Sequence, residues 1–504
     1  MADALETDNI STNARTIGNF NTTFTLAKGL EFKVNLGADI FSVSENRFVP
    51  NFLKRGESTN GAAVLARING RSWLAEYTMN YNKTIGNNQL NFLIGNTYQG
   101  FFSERIFLFT FDFQDNRTGY HSIAAGLNPQ PPGNGESTWG MISYLSRVNW
   151  THKDKVLFTL TGRVDGSSKF GINNKYGFFP SAALAYKLHK ESFISDLDIF
   201  STLKVRLSYG IIGNQEIASF SSLATIGNLG EGVFDGTEFY KGKEPLRYPN
   251  PDLKWERTHQ ADLGLDMEFN DGKISVVFDV YQKRTRDLLL YAPLPTTSGF
   301  GYYLTNIGGL KNTGVELALT TTNIDSKLFW STTFNVSHNR NLITALASDR
   351  DIPIGGILNV PTGWSILKKG EAIGTFYGYK SAGLFQSAEE IKSSAKIKGQ
   401  TPGLGDRKYV DLNGRDAKGV LTNSPDGFID EADRVPIGQA MPDVTFGIIN
   451  NFRFKGFDFS FFIQGMAGND LINANLLEIG SLNGETNVLK EYWENRWTPQ
   501  NTNT

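Results

Sequence analysis

Apolar and polar residues alternate along most of this chain. In Gln260–Thr285, Ala261, Leu263, Leu265, Met267 and Phe269 alternate with Gln260, Asp262, Gly264, Asp266 and Glu268. Asn270-Asp271-Gly272 follows, and alternation restarts with Ile274, Val276, Phe278 and Val280 set against Ser275 and Asp279. Period-two patterning on both sides of an Asp-Gly turn predicts a β-hairpin. Phe20, Thr22, Phe24 and Leu26 pass through Lys28-Gly29 into Leu30, Phe32, Val34 and Leu36 in the same way. So do the segments around Gly86-Asn87-Asn88, His152-Lys153-Asp154, Asn323-Ile324-Asp325 and Lys455-Gly456. The pattern predicts about 14 strands.

The connections then narrow the architecture. Turns inside the hairpins are short. Between hairpins the alternation lapses over Val43–Gly70, Gln99–Thr138, Gly166–Gly177, Ile211–Arg257, Asp287–Lys311 and Asn341–Asp443. The one looser short-side connection is Leu188–Ser201. A β-sandwich has no reason to place each long loop on every second connection. A membrane barrel does, because its periplasmic turns are short and its extracellular loops long. The apolar face of each strand would then touch lipid rather than a second sheet. Asn341–Asp443 carries its own apolar residues, so it reads as a subdomain rather than a linker, with a short helix over Gln386–Lys398.

Composition agrees with an all-β chain. It has 52 Gly and 37 Phe among 504 residues, and a net charge of −2 that gives no field for nucleic acid. Zero Cys excludes disulfide scaffolds, thiolate metal sites and cysteine nucleophiles. No apolar run approaches the roughly 18 residues of a spanning helix. The mean hydropathy of −0.28 does not argue against a membrane, since a spanning strand shows only alternate residues to lipid. Met1–Glu6 is acidic and has no signal-peptide pattern.

Candidate chemistry is sparse. Asp411–Arg434 holds Asp411, Asn413, Asp416, Asp426, Asp430 and Asp433. These oxygen-rich fragments suit either a hard-cation loop or ordinary Asx and glycine turns, and EF-hand spacing is broken by Arg415–Pro425. The five His (His121, His152, His189, His259, His338) lack zinc-site spacing. Glu389-Glu390 reads as a solvated helix face. Gly299–Gly301 and Gly308-Gly309 lack the strand–loop–helix context of a phosphate cradle. Asp165-Gly166-Ser167-Ser168 reads as a turn leaving a strand. Trp150, Tyr209, Trp255, Tyr281 and Trp330 fit interfacial girdles, with core packing as the alternative. Tyr302-Tyr303, Trp364, Tyr377 and Tyr379 sit in predicted outer loops, as ligand surfaces or as loop-internal packing. No catalytic, cofactor-binding, metal or substrate residue is assigned, and the chain is expected not to be an enzyme.

Seven ordered strings go further: DGSSKFG with KYGFFPSAALAY (Asp165–Tyr186), LKVRLSYGIIGNQEI (Leu203–Ile217), NPDLKWERTHQADLGLD with DVYQKRTRDLLL (Asn250–Leu290), NIGGLKNTGVELAL (Asn306–Leu319), GTFYGYKSAGLFQ (Gly374–Gln386), DRVPIGQAMPDVTFG (Asp433–Gly447) and FIQGMAGNDLIN (Phe462–Asn473). In this order they resemble the SusC/RagA-type TonB-dependent outer-membrane transporters. The resemblance implies an antiparallel transmembrane barrel of about 22 strands. It implies a plug through which the TonB complex acts, and a SusD-like surface lipoprotein. It also implies glycan or oligopeptide cargo and outer-membrane lipid around the barrel. Residues 1–16 are expected to be an irregular lead-in. Residues 17–504 would be part of the barrel, without plug or last strands, carrying the extracellular loop 341–443. The rivals are a soluble all-β carbohydrate-binding or adhesin protein and an outer-membrane barrel enzyme. If the hairpin spans lipid, spin labels at Leu265 and Asp266 in reconstituted membranes should differ, with Leu265 the more accessible to dissolved oxygen. Equal accessibility at both sites would remove the assignment.

Overall fold

The computed structural model describes residues 6–233, 239–346, 351–355, 363–397, 399–480 and 487–502. Contacts divide the chain into two units. The first comprises Met1–Asp198, Thr202–Leu263 and Thr285–Asn306; the second comprises Ile199–Ser201, Gly264–Arg284 and Ile307–Thr504.

In the first unit, β1 (Asp8–Ala27), β2 (Leu30–Val49), β3 (Ala62–Ile85), β4 (Asn88–Phe111), β5 (Gly133–His152), β6 (Val156–Ser167), β7 (Tyr176–Lys187) and β8 (Phe200–Asn214) pair antiparallel in chain order. β9 (Glu256–Phe269) and β10 (Ile274–Pro293) carry residues of both units, Phe200–Ser201 of β8 belong to the second, and the strand after β10 begins in the first at Tyr302–Asn306. In the second unit β11 (Tyr302–Asp325), β12 (Leu328–Ala345), β13 (Val444–Phe454) and β14 (Phe457–Ala467) again pair in chain order. These fourteen long strands match the number the alternation predicts.

The turns follow from local chemistry. Lys455-Gly456 joins β13 to β14 with both residues at positive φ, 48° and 84°, the primed-turn geometry that matches strand twist. Asn270, Asp271 and Gly272 also lie at positive φ, between β9 and β10. Asn and Asp tolerate that region because their short side chains bond locally.

Register fixes two unlike faces. In the first unit Phe24, Phe32, Met79 and Ile94 form one cross-strand row, and Tyr81, Phe92, Val148, Leu160, Ala182 and Tyr209 another. The opposite face carries Asn21, Asn35, Glu76, Thr97, Ser143 and Asp165 in a single row. The second unit repeats this, with Leu319, Phe334, Ile448 and Ile463 on one face and Thr322, Ser331, Asn451 and Ser460 on the other. Among the described residues nothing apolar covers the apolar face: Phe20, Met79, Ile94 and Leu160 are all exposed. A sandwich would bury that face. The accessible surface is 31981 Å², against about 18,000 Å² for a globular chain of this mass.

The apolar face has the height of a bilayer core. On β3 it runs Tyr81, Met79, Tyr77, Ala75 and Trp73, bracketed by Lys83 and Arg71. Twelve residues of strand span about 41 Å, or about 31 Å at a tilt of about 40°. The Arg71 guanidinium lies over Phe102, 5.0 Å from its centroid. Trp150 donates its indole N–H to Asn88 at 3.0 Å, and Trp330 donates to Asn450 at 3.0 Å. Both lie near the short-turn end, where an amphipathic ring suits the interface.

Several expectations need correction. β1 starts at Asp8, so residues 8–16 of the expected irregular lead-in are strand, and residues 1–5 lie outside the described ones. The long excursions shorten to residues 50–61, 112–132, 168–175, 215–255, 294–301 and 346–443. The ladders continue past the apolar band, where the outward residues turn polar: Ser42, Asn69, Glu104 and Glu136 form one such row. Sequence alternation ends with the band, whereas hydrogen bonding does not. Trp255 is 4% exposed in a core cluster, and Tyr281 packs over Gly314 on the polar face. Neither is a girdle residue.

In a bilayer, Met79→Arg should cost about 2–4 kcal/mol and Thr78→Arg, on the polar face, much less. Unfolding by urea from lipid vesicles measures both.

Candidate functional site

The polar face and the strand ends at the long loops hold the chain's built features. Arg163 on β6 donates to both Asp165 oxygens, at 2.7 and 2.9 Å, and to Ser143 Oγ at 3.0 Å. Asp165 therefore belongs to a strand-borne ion pair, and the turn expected at Asp165–Ser168 begins only after Ser167. Nearer the short turns, Asn149 donates to Asn91, Asn91 to Asn82, and Thr159 to Asn149. The face is thus wired by neutral amides and by guanidinium–carboxylate pairs such as Arg163–Asp165 and Arg15–Asp39, as suits a water-lined wall.

At the long-loop end three of the recognised strings knit into one clasp. Phe170, Phe179, Leu253, Trp255 and Leu304 form a buried cluster. Asn250 donates to the Leu304 carbonyl at 2.8 Å. Asn306 accepts from Lys254 N at 3.0 Å and donates to the Lys254 and Asp287 carbonyls at 2.8 and 2.9 Å. Trp255 Nε1 donates to the Lys175 carbonyl at 3.0 Å. Gly171 has no room for a Cβ, which would meet the Pro251 carbonyl. These residue types answer a packing and hydrogen-bonding need, which is why the motifs carry Asn, Trp and Gly at fixed offsets. Lys169, 8% exposed, directs Nζ to the Gln215 carbonyl at 3.5 Å and pins the start of the loop 215–255. Lone polar residues in a glycine-rich string gave no sign of this in the sequence.

In the second unit, 346–443 is a folded excursion, apart from residues 347–350, 356–362 and 398, which lie outside the described ones. Ile352–Ile354, Ser365–Leu367, Thr375–Tyr379 and Arg434–Gln439 make a four-stranded sheet. Arg434 lies over Tyr377 and Tyr379, at 5.1 and 6.0 Å, and donates to the Gly363 carbonyl. Burial raises the Tyr379 pKa; Arg434 opposes that and the carboxylates of 430–433 add to it. Tyr377 and Tyr379 are thereby loop packing, as are Tyr303 against Tyr248 and Trp364 against Phe376; Tyr302 is exposed. The helix expected over Gln386–Lys398 is Ala388–Ser393, capped by Ser387, after which Lys396–Ile397 is strand. Glu390 is no solvated carboxylate: it accepts from Gln386 N and pairs with Lys408, which lowers its pKa.

The Asp-rich stretch resolves into turns. Asp433, fully buried, accepts from the backbone N–H of Leu412, Asn413 and Asp430 at 2.7–3.0 Å. Asp411 accepts from Asp426 and Gly427, and Asp416 from Lys418 and Val420. Among the described residues no group of three or more His, Asp or Glu side chains is placed to hold a metal ion. The histidines are dispersed: His152 meets Asn88, His189 Leu203, His259 Tyr209 and His338 the Asp443 carbonyl, while His121 stacks on Tyr120.

Consecutive antiparallel strands with an uncovered apolar band of bilayer height, a polar second face and long excursions on alternate connections define a membrane β-barrel chain. The profile described as TonB dependent receptor-like, beta-barrel matches residues 2–365, and the chain belongs to that family. It is 36% identical over 491 residues to TonB-dependent receptor P3 of Formosa agariphila, covering 96% of this chain and 47% of that protein. It is 29% identical over 423 residues to TonB-dependent receptor SusC of Bacteroides thetaiotaomicron, covering 80% and 38%. The fold is similar to a chain of the RagAB peptide transporter, with a TM-score of 0.83 at 24% identity, over 99% of this chain and 53% of that one. The SusC/RagA resemblance of the seven strings is thus borne out. The chain spans about half the length of the relatives it matches.

Asn306→Ala removes one acceptor and two donors from the clasp. It should destabilise it by about 1–3 kcal/mol and speed trypsin cleavage within 215–255. Tyr302→Ala, at an exposed ring, should leave the cleavage rate unchanged.

Proposed function

We propose that the full-length protein is an outer-membrane, TonB-dependent importer of the SusC/RagA type. The observation that carries this reading is the register itself. It places an apolar band between Lys83 and Arg71 on one face and an amide-lined wall on the other. The remaining length of the relatives would supply the strands that complete the ring, and the plug on which TonB acts. Cargo would be a large hydrophilic nutrient, a glycan oligosaccharide or an oligopeptide, captured at the long-loop end with a SusD-like surface lipoprotein. The likeness to RagAB, a peptide transporter, supports the second cargo class. The folded excursion 346–443, too structured for a linker, would meet the lipoprotein or the cargo.

The chain's own groups support binding and passage rather than bond-making. The carboxylates Asp433, Asp411 and Asp165 are committed to backbone N–H groups and an ion pair. The protein should fractionate with the outer membrane, and uptake should vanish in a TonB-deficient strain. Deleting Gly374–Arg434 removes none of the fourteen long strands. It should leave a heat-modifiable barrel in the membrane and abolish uptake or lipoprotein capture. Normal uptake after the deletion would remove the role given to the excursion, and a protein in the soluble fraction would remove the transporter reading.

A further inference from the structure

On the polar face of the first unit, Ile17, Asp39, Ser72, Phe101 and Trp139 form one cross-strand row. Asn19, Gly37, Leu74 and Gln99 form the next row toward the short turns. Phe101 and Trp139 stand side by side, centroids 6.1 Å apart and planes 18° apart. Lys169 follows β6, which flanks β5 on the side away from β4, and its ammonium lies 5.2 Å from the Trp139 centroid. Trp139 is therefore packed on both sides and holds Phe101 upright. Beyond Phe101 come two small positions, Ser72 and Gly37, then Asp39. The result is a depression of about 400 Å³. Phe101 and Asp39 sit two strands apart, about 10 Å between backbone lines. That is room for one six-membered ring against the aromatic wall.

The groups around this slot are polar and electrically balanced. Among the described residues the Ser72 hydroxyl and the Gln99 carboxamide have no hydrogen-bond partner. Asp39 is neutralised by Arg15, whose Nε and guanidinium nitrogen reach its two oxygens at 2.9 and 2.6 Å. Asn19 accepts from Asn21, leaving its own N–H donors to the slot. A charged ligand would find no unpaired counter-charge here. An extended peptide would find no backbone to pair with on β2, β3 and β4, which spend their amides on the ladder under the slot. A pyranose matches: its C–H face packs on Phe101, and its hydroxyls both donate to and accept from Ser72, Gln99, Asn19 and the free lone pairs of Asp39.

We propose that this slot is a subsite for an uncharged hexopyranose unit of an oligosaccharide. The proposal rests on the transporter reading, chooses the saccharide from its two cargo classes and gives it a place on the wall. The test uses the full-length protein, purified from outer membranes in detergent. It is applied to an array of neutral oligosaccharides, uronic-acid oligosaccharides and uncharged tetrapeptides, with titration calorimetry on whatever is retained. Ser72→Trp fills the slot and Gln99→Ala removes one amide; both are checked for heat-modifiable migration. Neutral oligosaccharides should be retained by the parent, with affinity about tenfold weaker in Gln99→Ala and lost in Ser72→Trp. Three results would overturn the slot: no neutral saccharide retained by the parent, saccharide binding unchanged in Gln99→Ala, or peptide binding that Ser72→Trp abolishes. TonB-dependent uptake measured on the same parent separates the two claims. Intact uptake without saccharide binding removes the subsite alone, and a parent absent from the outer membrane removes the transporter reading with it.

Discussion

Inside hydrocarbon an unpaired backbone amide costs several kcal/mol, so strand pairing is not optional there. The rest of the structure depends on that ladder and on its register. From Leu30↔Tyr81 to Val49↔Ala62, β2 and β3 pair without a shift, and β3 and β4 do the same from Ala62↔Phe111 to Ile85↔Asn88. A slip of one residue would turn Met79 and Tyr77 to the amide wall and put Glu76 and Thr78 against lipid. Two devices hold the register beyond the ladder itself. Aromatic rings lie across glycines on the neighbouring strand, as Tyr281 does over Gly314 and Trp73 over Gly100. Turns such as Lys455-Gly456 fix each hairpin's pairing.

This explains where side chains pack into a core. They do not do so on the apolar band, which among the described residues stays exposed. The clusters sit at strand ends, Phe170 with Trp255 and Leu304 at one place, Phe48 with Ala63 and Phe113 at another. Water, unlike lipid, makes burial of apolar groups favourable, so the part of the chain beyond the band packs as a soluble protein does. The clasp at Asn250, Trp255 and Asn306 is the hydrogen-bonded part of that packing. It ties residues 250–255, the end of the excursion after β8, to β11 at Leu304 and Asn306 and to Lys175 before β7.

Much of the fold was legible. Period two and turn chemistry located the hairpins, because both are local properties of the chain. Strand length was not, because beyond the band the outward positions become Ser42, Asn69 and Glu104 and carry no hydropathy signal. Trp255 and Tyr281 were misread for a related reason. An aromatic residue near a strand end looks the same whether it meets headgroups, a core or a facing glycine, and only the neighbouring strand decides. The slot was illegible altogether. It joins residues from β1, β2, β3 and β4 whose spacing in sequence says nothing of their shared row. The Asp-rich stretch showed its residue types in sequence but not their allegiance, which is to backbone N–H groups such as those of Leu412 and Gly427.

The central claim is that register divides lipid from water along each strand. These 504 residues contain no cysteine, so with any cysteine elsewhere in the full-length protein replaced, single cysteines placed from Arg71 to Lys83 report without background. In native outer membranes, each is challenged with a membrane-impermeant maleimide and with a lipid-dissolved one. The account predicts a strict alternation. Positions 73, 75, 77, 79 and 81 should react only with the lipid-dissolved reagent, and 72, 74, 76, 78 and 80 should not react with it. Uniform labelling along the segment, or alternation of the opposite phase, would contradict it.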